Sequence, residues 1–199
     1  MNCKIQEPLI LASASPRRKE LLARFGIPFS VVPSTTDEDV SADLTPSEQV
    51  LSLARSKAVD VAARTEGLII AADTLVAIDS VDGECTLGKP ANQAEATAML
   101  RLLSGAKHRV YTGLVLYSTR SRRFAEAVEC TDVWMQPISE EEMERYVATG
   151  ESLDKAGAYA AQGIGSVFVQ RIEGCYHNVV GLPLYCLNKL MHEFGRGLV

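Results

Sequence analysis

Two patterns of apolar residues alternate along this 199-residue chain: short continuous runs, and longer stretches in which apolar residues recur every three or four positions. The runs predict buried strands and the stretches amphipathic helices. Leu9 to Ala12 reads as a short strand. A helix start follows at Ser15-Pro16, because Ser is a good N-cap and Pro suits the first helical position. That helix carries Leu21, Leu22 and Phe25 and stops at Gly26. Phe29 to Val32 reads as a second strand. Thr45-Pro46 opens a longer helix with Val50, Leu53, Ala54, Ala58 and Val61 on one stripe. Leu68 to Ala72 is an apolar strand ending at Asp73.

Further on, Leu75 to Ile78 and Cys85 to Leu87 flank Asp82-Gly83, a hairpin signal. Asn92 with Glu95 resembles a capping pair and opens a helix through Met99, Leu102 and Leu103 to Gly105. Val110 to Tyr117 and Phe124 to Trp134 are two long strand candidates joined by a basic turn. Ser139 with Glu142 forms a capping box for a helix ending near Gly150. Ser166 to Ile172 is a strand and Leu184 to Phe194 a last amphipathic helix. Strands alternating with helices, plus a hairpin, predict an α/β protein with a mixed twisted sheet flanked by helices. No repeat or linker divides the chain, so one domain over residues 1–199, with two lobes, is expected.

Composition narrows this further. With 47% hydrophobic and 23% charged residues the chain is globular, and roughly 70% of its surface can be buried on folding. The net charge of −5 opposes broad binding to a nucleic-acid polymer, while leaving room for a small anion in a local basic pocket. No run approaches the ~18 apolar residues of a membrane span. Lys4, Pro8 to Leu11 and Ala12-Ser13-Ala14 mimic a leader, but the apolar region is too short and Glu7 interrupts it. The five cysteines are scattered, with no C-x-x-C and no paired histidines, so reduced thiols in a cytoplasmic compartment are expected. His108, His177 and His192 are isolated and read as surface or core-edge residues.

Chemistry concentrates first in Ser13-Ala14-Ser15-Pro16-Arg17-Arg18. Two hydroxyls and two guanidiniums fall between a strand and a helix N-terminus, where free N–H groups and the helix dipole favour an anion. The alternative is that Ser15 only caps the helix and both arginines are solvated. Lys57 falls on the apolar stripe of its helix; its stem either snorkels outward or points into a polar site to pair with a carboxylate or phosphate. Gly88-Lys89-Pro90 offers another cation in a loop. Asp73 at a strand end sits where open α/β sheets place ligands. Asp37-Glu38-Asp39 adds hard oxygen donors of the kind Mg²⁺ or Mn²⁺ uses, or is a solvated acidic loop. Gln162, between a helix and a strand, presents a donor and an acceptor that suit a base edge, or it holds its own loop together. P-loop, dinucleotide-binding and nucleophile-elbow motifs are missing from the sequence.

Leu11-Ala12-Ser13-Ala14-Ser15-Pro16-Arg17-Arg18, Ala72-Asp73-Thr74, Gly88-Lys89-Pro90 and Asp154-Lys155-Ala156-Gly157-Ala158-Tyr159 together resemble the Maf family, over about residues 8 to 194. The resemblance implies an inosine-triphosphatase-like fold with a central cleft. It also implies an enzyme that splits nucleoside triphosphates into monophosphate and pyrophosphate with a divalent metal, Mg²⁺ or Mn²⁺. Asp73 is then the catalytic carboxylate, with Glu38 its partner in holding metal or water. Arg18, Lys57 and Lys89 hold the triphosphate, and Ser13 lines the loop. The family branch acting on dTTP and UTP is similar to this chain at Arg17, Thr74 and Gln162, whereas the 7-methyl-GTP branch resembles Trp, Gln and Glu there. Ala160-Ala161 departs from the usual Gly-Ile, and Val81-Asp82-Gly83-Glu84 lengthens a hairpin. The family often forms homodimers, so the resemblance further implies a possible homodimer. Two alternatives stand beside it: a nucleotide-binding regulator of cell division and septum formation, or a house-cleaning pyrophosphatase for a modified nucleotide.

Overall fold

The computed structural model of the chain describes residues 6–36, 43–81 and 83–199. Among these residues seven strands form one mixed sheet. They are β1 (Leu9–Leu11), β2 (Ser30–Val31), β3 (Leu68–Ser80), β4 (Gly83–Leu87), β5 (Lys107–Ser118), β6 (Arg123–Met135) and β7 (Val169–Glu173). Their order is β2-β1-β3-β5-β6-β7, with β4 on β3. The helices are α1 (Pro16–Ala23), α2 (Pro46–Ala62), α3 (Gln93–Leu103), α4 (Glu140–Ala148), α5 (Tyr176–Val180) and α6 (Leu184–His192). Mixed pairing follows from the connections: β1 runs parallel to β2 and to β3 across intervening helices, while the tight β3–β4 turn makes that pair antiparallel.

The caps read from sequence are in place. Ser15, Thr45, Asn92 and Ser139 cap α1 to α4, and Thr45 and Ser139 do so as full capping boxes. The hairpin signal produces β3 and β4 with Ser80 opposite Gly83; Asp82 lies outside the described residues. Besides shifts of a few residues at element ends, two differences from expectation stand out. The strand through Asp73 does not end there but continues to Ser80, because backbone pairing is indifferent to one polar side chain and β4 supplies the next partner. Residues Ile164–Phe168 form a 3₁₀ turn rather than the start of β7. Helix α5 and the 3₁₀ segments between Glu151 and Ala158 carry too short a pattern to show in the sequence.

The chain divides into two compact units. The first comprises the described residues of Met1–Asp73 with Thr112–Glu129 and Gly181–Val199; the second is Thr74–Tyr111 with Cys130–Val180. In the first, Ile10, Ala12, Ile69, Ala71 and Val115 pack against Ala54, Ala58 and Val61 of α2. Gly113 brings β5 against that helix: a Cβ there would lie 2.4 Å from the Val50 carbonyl oxygen. In the second, Leu100, Leu103, Val133, Met135, Tyr146 and Phe168 are core members. No helix among the described residues is long and apolar enough to cross a membrane. Cys85, Cys130, Cys175 and Cys186 are free thiols.

Candidate active site

In the first unit the backbone leaves β1 in extended form, Ala12 N donating to Ile70 O at 2.8 Å, and then turns into α1. The turn is organised by buried Ser13. Its Oγ accepts from Ser15 N at 3.2 Å and from Arg18 Nη1 at 3.3 Å. Arg18 Nε donates to the Gly181 carbonyl at 2.7 Å. Arg18 is therefore not simply solvated: a hydroxyl and a carbonyl fix its guanidinium at the N-terminal turn of its own helix. That turn holds no acidic residue, and two arginines beside the positive end of a helix dipole favour an anion. Arg17 is half-buried in the same turn.

Lys57 settles its two alternatives by geometry. It lies on the buried stripe of α2, and its Nζ reaches Asp73 Oδ1 at 2.5 Å, with each side chain only 11% exposed. A buried ion pair is weak evidence for stability, because desolvation of both charges offsets their attraction. Asp73 is 8% exposed and stands mid-strand in β3, which corrects its expected place at a strand end. The ligand argument survives in altered form. The β1–β3 pairing ends at Leu11 and Ile70; Ser13 follows β1 by two residues and Asp73 follows Ile70 by three, so both come just after the end of the parallel ladder.

The other expected residues belong to the second unit. Thr74 follows Asp73 directly along β3 and is half-buried. Lys89 is exposed in the loop after β4, and that loop is tied to the Asp154-to-Tyr159 motif by Gly157 N donating to Gly88 O at 3.0 Å. Gly157 takes φ +67°, and a Cβ there would meet Val76 at 2.9 Å. Ala158 follows in the left-handed region at φ +58°. Tyr159 then anchors the segment, its hydroxyl 2.8 Å from His108 Nε2. His108 is thus a core residue rather than the surface or core-edge residue expected, and burial lowers its pKa to about 4 against a small opposing pull from Asp132. No feature of the sequence marked this pair, since the two residues are far apart in the chain. Gln162 is half-buried in the following loop.

Among the described residues no three His, Cys, Asp or Glu side chains gather as a metal-holding group. Mg²⁺ commonly uses only one or two carboxylates completed by substrate phosphates and water, so buried Asp73 suits it. Glu38, the second expected donor, lies outside the described residues.

The chain is thus a mixed α/β protein with a strand-to-helix junction suited to an anion and a buried lysine–carboxylate pair. Residues 8–194 match the model of the Maf-like protein family, and the chain belongs to that family. A protein of Caldicellulosiruptor bescii named dTTP/UTP pyrophosphatase is 48% identical over 196 residues, covering 96% of each chain. A protein of the same name from Bacillus mycoides is 47% identical over 187 residues, 94% of this chain and 95% of its own. Among solved structures, a dITP/XTP pyrophosphatase of Mycobacterium abscessus aligns with a TM-score of 0.41 at 15% identity, over 66% of this chain and 75% of that one.

Proposed function

We propose that this protein hydrolyses nucleoside triphosphates, dTTP and UTP foremost, to the monophosphate and pyrophosphate. Identity of 45–48% over nearly the whole chain to proteins named dTTP/UTP pyrophosphatase supports the substrate. The observation that carries the chemistry is the buried Lys57–Asp73 pair. In this reading Asp73 takes a proton from water as the water oxygen bonds to the α-phosphorus, and the bond from that phosphorus to the bridging oxygen breaks to release pyrophosphate. Lys57 orients the carboxylate and, with Arg18, offsets charge on phosphate oxygens. Ser13 holds Arg18 and lines the anion turn. Lys89 is assigned to phosphate, and Arg17, Thr74 and Gln162 to the base, whose imide edge offers acceptor, donor and acceptor. Asp73, with Glu38, would hold a Mg²⁺ or Mn²⁺ ion, which supplies Lewis-acid polarisation of the phosphate when bound.

The test is pyrophosphate release from dTTP, UTP, CTP, dITP and 7-methyl-GTP, with and without each metal. Metal-dependent release favouring dTTP and UTP is the expected outcome. Release from another base alone discards the roles of Arg17, Thr74 and Gln162. Tight nucleotide binding with no turnover replaces the enzyme with a nucleotide-binding regulator.

A further inference from the structure

The loop carrying Gln162 has little regular structure, yet its backbone is gripped on both sides. Before Gln162, Ala160 N donates to the Tyr146 hydroxyl at 3.2 Å. After it, Ile164 N and Gly165 N donate to the two carboxylate oxygens of Glu151, at 3.0 and 2.9 Å. Tyr146 also hydrogen-bonds that carboxylate, which joins the two grips into one network. Between them Gly163 takes φ +125°, where a Cβ would fall 2.2 Å from Glu151 Oε1, so the backbone lies directly on the carboxylate.

The clamp is itself anchored. Tyr146 is buried, with its ring edge-on to Phe168 at 5.3 Å between centroids. Lys155 Nζ donates to the Glu151 carbonyl at 2.8 Å. Burial acts to raise the Glu151 carboxyl, but the amides of Gly165 and Ile164, with Tyr146 and Lys155, outweigh it and hold the group below its ordinary range. It is therefore an anionic acceptor at neutral pH. A Gln amide distinguishes the imide edge of uracil from the amino-bearing edge of cytosine only when its donor and acceptor are presented in a fixed orientation.

We infer that Glu151 is a positioning residue for base selection: its carboxylate holds the backbone of residues 163–165 and through it orients Gln162. This rests on the assignment of Gln162 to the base. The test measures kcat and KM for UTP and CTP in the wild type, Gln162→Ala, Glu151→Gln and the double variant, with folding checked by circular dichroism. Glu151→Gln keeps the side-chain shape but replaces one acceptor oxygen with an amide donor that no backbone N–H can use. The expected result is a fall of about tenfold in the UTP-to-CTP ratio of kcat/KM, carried mainly by KM for UTP. The double variant should match Gln162→Ala alone, since residues acting in one chain do not add. A wild-type ratio in Glu151→Gln beside a lowered ratio in Gln162→Ala overturns the inference and leaves the base assignment standing. An unchanged ratio in Gln162→Ala overturns both. Additive losses overturn the inference by showing that Glu151 acts on something other than Gln162. Should Glu151→Gln fail to fold, Tyr146→Phe removes the other grip on the same loop and is judged by the same outcomes.

Discussion

The two units build their candidate chemistry by different physical means. In the first, long side chains bring opposite charges under cover: Lys57 meets Asp73 out of water, and Arg18 is fixed by Ser13 and Gly181. In the second, the chain path does more than the charges. Gly157, Ala158 and Gly163 take positive φ, and hydrogen bonds of backbone amides to Tyr146 and Glu151, with the Tyr159–His108 contact, hold the segment. Charge pairing concentrates reactivity but makes each partner depend on the other. A shaped loop sets where a side chain points, so its contacts govern orientation rather than charge.

The largest expected effect is on that dependence. Lys57→Met strands a buried carboxylate and should cost about 3–5 kcal/mol in urea unfolding. Lys57→Met/Asp73→Asn should recover much of that stability without restoring turnover. Equal instability of the single and double variants would break the picture of mutual dependence. Next, Asp73→Asn should lower kcat at least about a hundredfold while binding of a non-hydrolysable UTP analogue persists. Near-normal turnover would remove Asp73 from the chemistry and leave the ion pair structural. The third effect belongs to the second unit. His108, at about 4 when folded, lies below the ordinary 6.5, so the unfolded chain binds more protons between those values and stability falls as pH drops through them. Stability should fall by about 2 kcal/mol from this group between pH 7 and pH 5, and His108→Gln should flatten that slope. An unchanged slope would place the acid sensitivity elsewhere.

Much of the first unit was legible in the sequence for a physical reason. A lysine on an apolar stripe and arginines at a helix N-terminus violate simple patterning, and such violations stand out without a structure. Helix caps were legible because they are local. The second unit hid its organisation because nothing about His108 announces Tyr159, and Glu151 sits in its own short 3₁₀ segment. Its grip on residues 164 and 165 is a contact between backbone amides and a distant side chain, which carries no periodicity. Leu75 to Ile78 was legible as a hairpin strand; what was hidden is its continuity with Leu68 to Ala72, since an Asp between two apolar runs reads as a break. The base-reading role of Gln162 rests on the resemblance to the Maf family rather than on any pattern in the residues themselves.

Gly113 gives the buried pair a calibrated reach. With no side chain between β5 and the Val50 carbonyl, the stand-off of α2 from the sheet at that point is a backbone dimension rather than one set by side-chain packing. Lys57 sits two turns along the same helix, so its tether spans a gap of preset width to Asp73. The glycine works as a spacer of zero thickness, and the tolerance of the site is inherited from the peptide unit rather than from the packing around it.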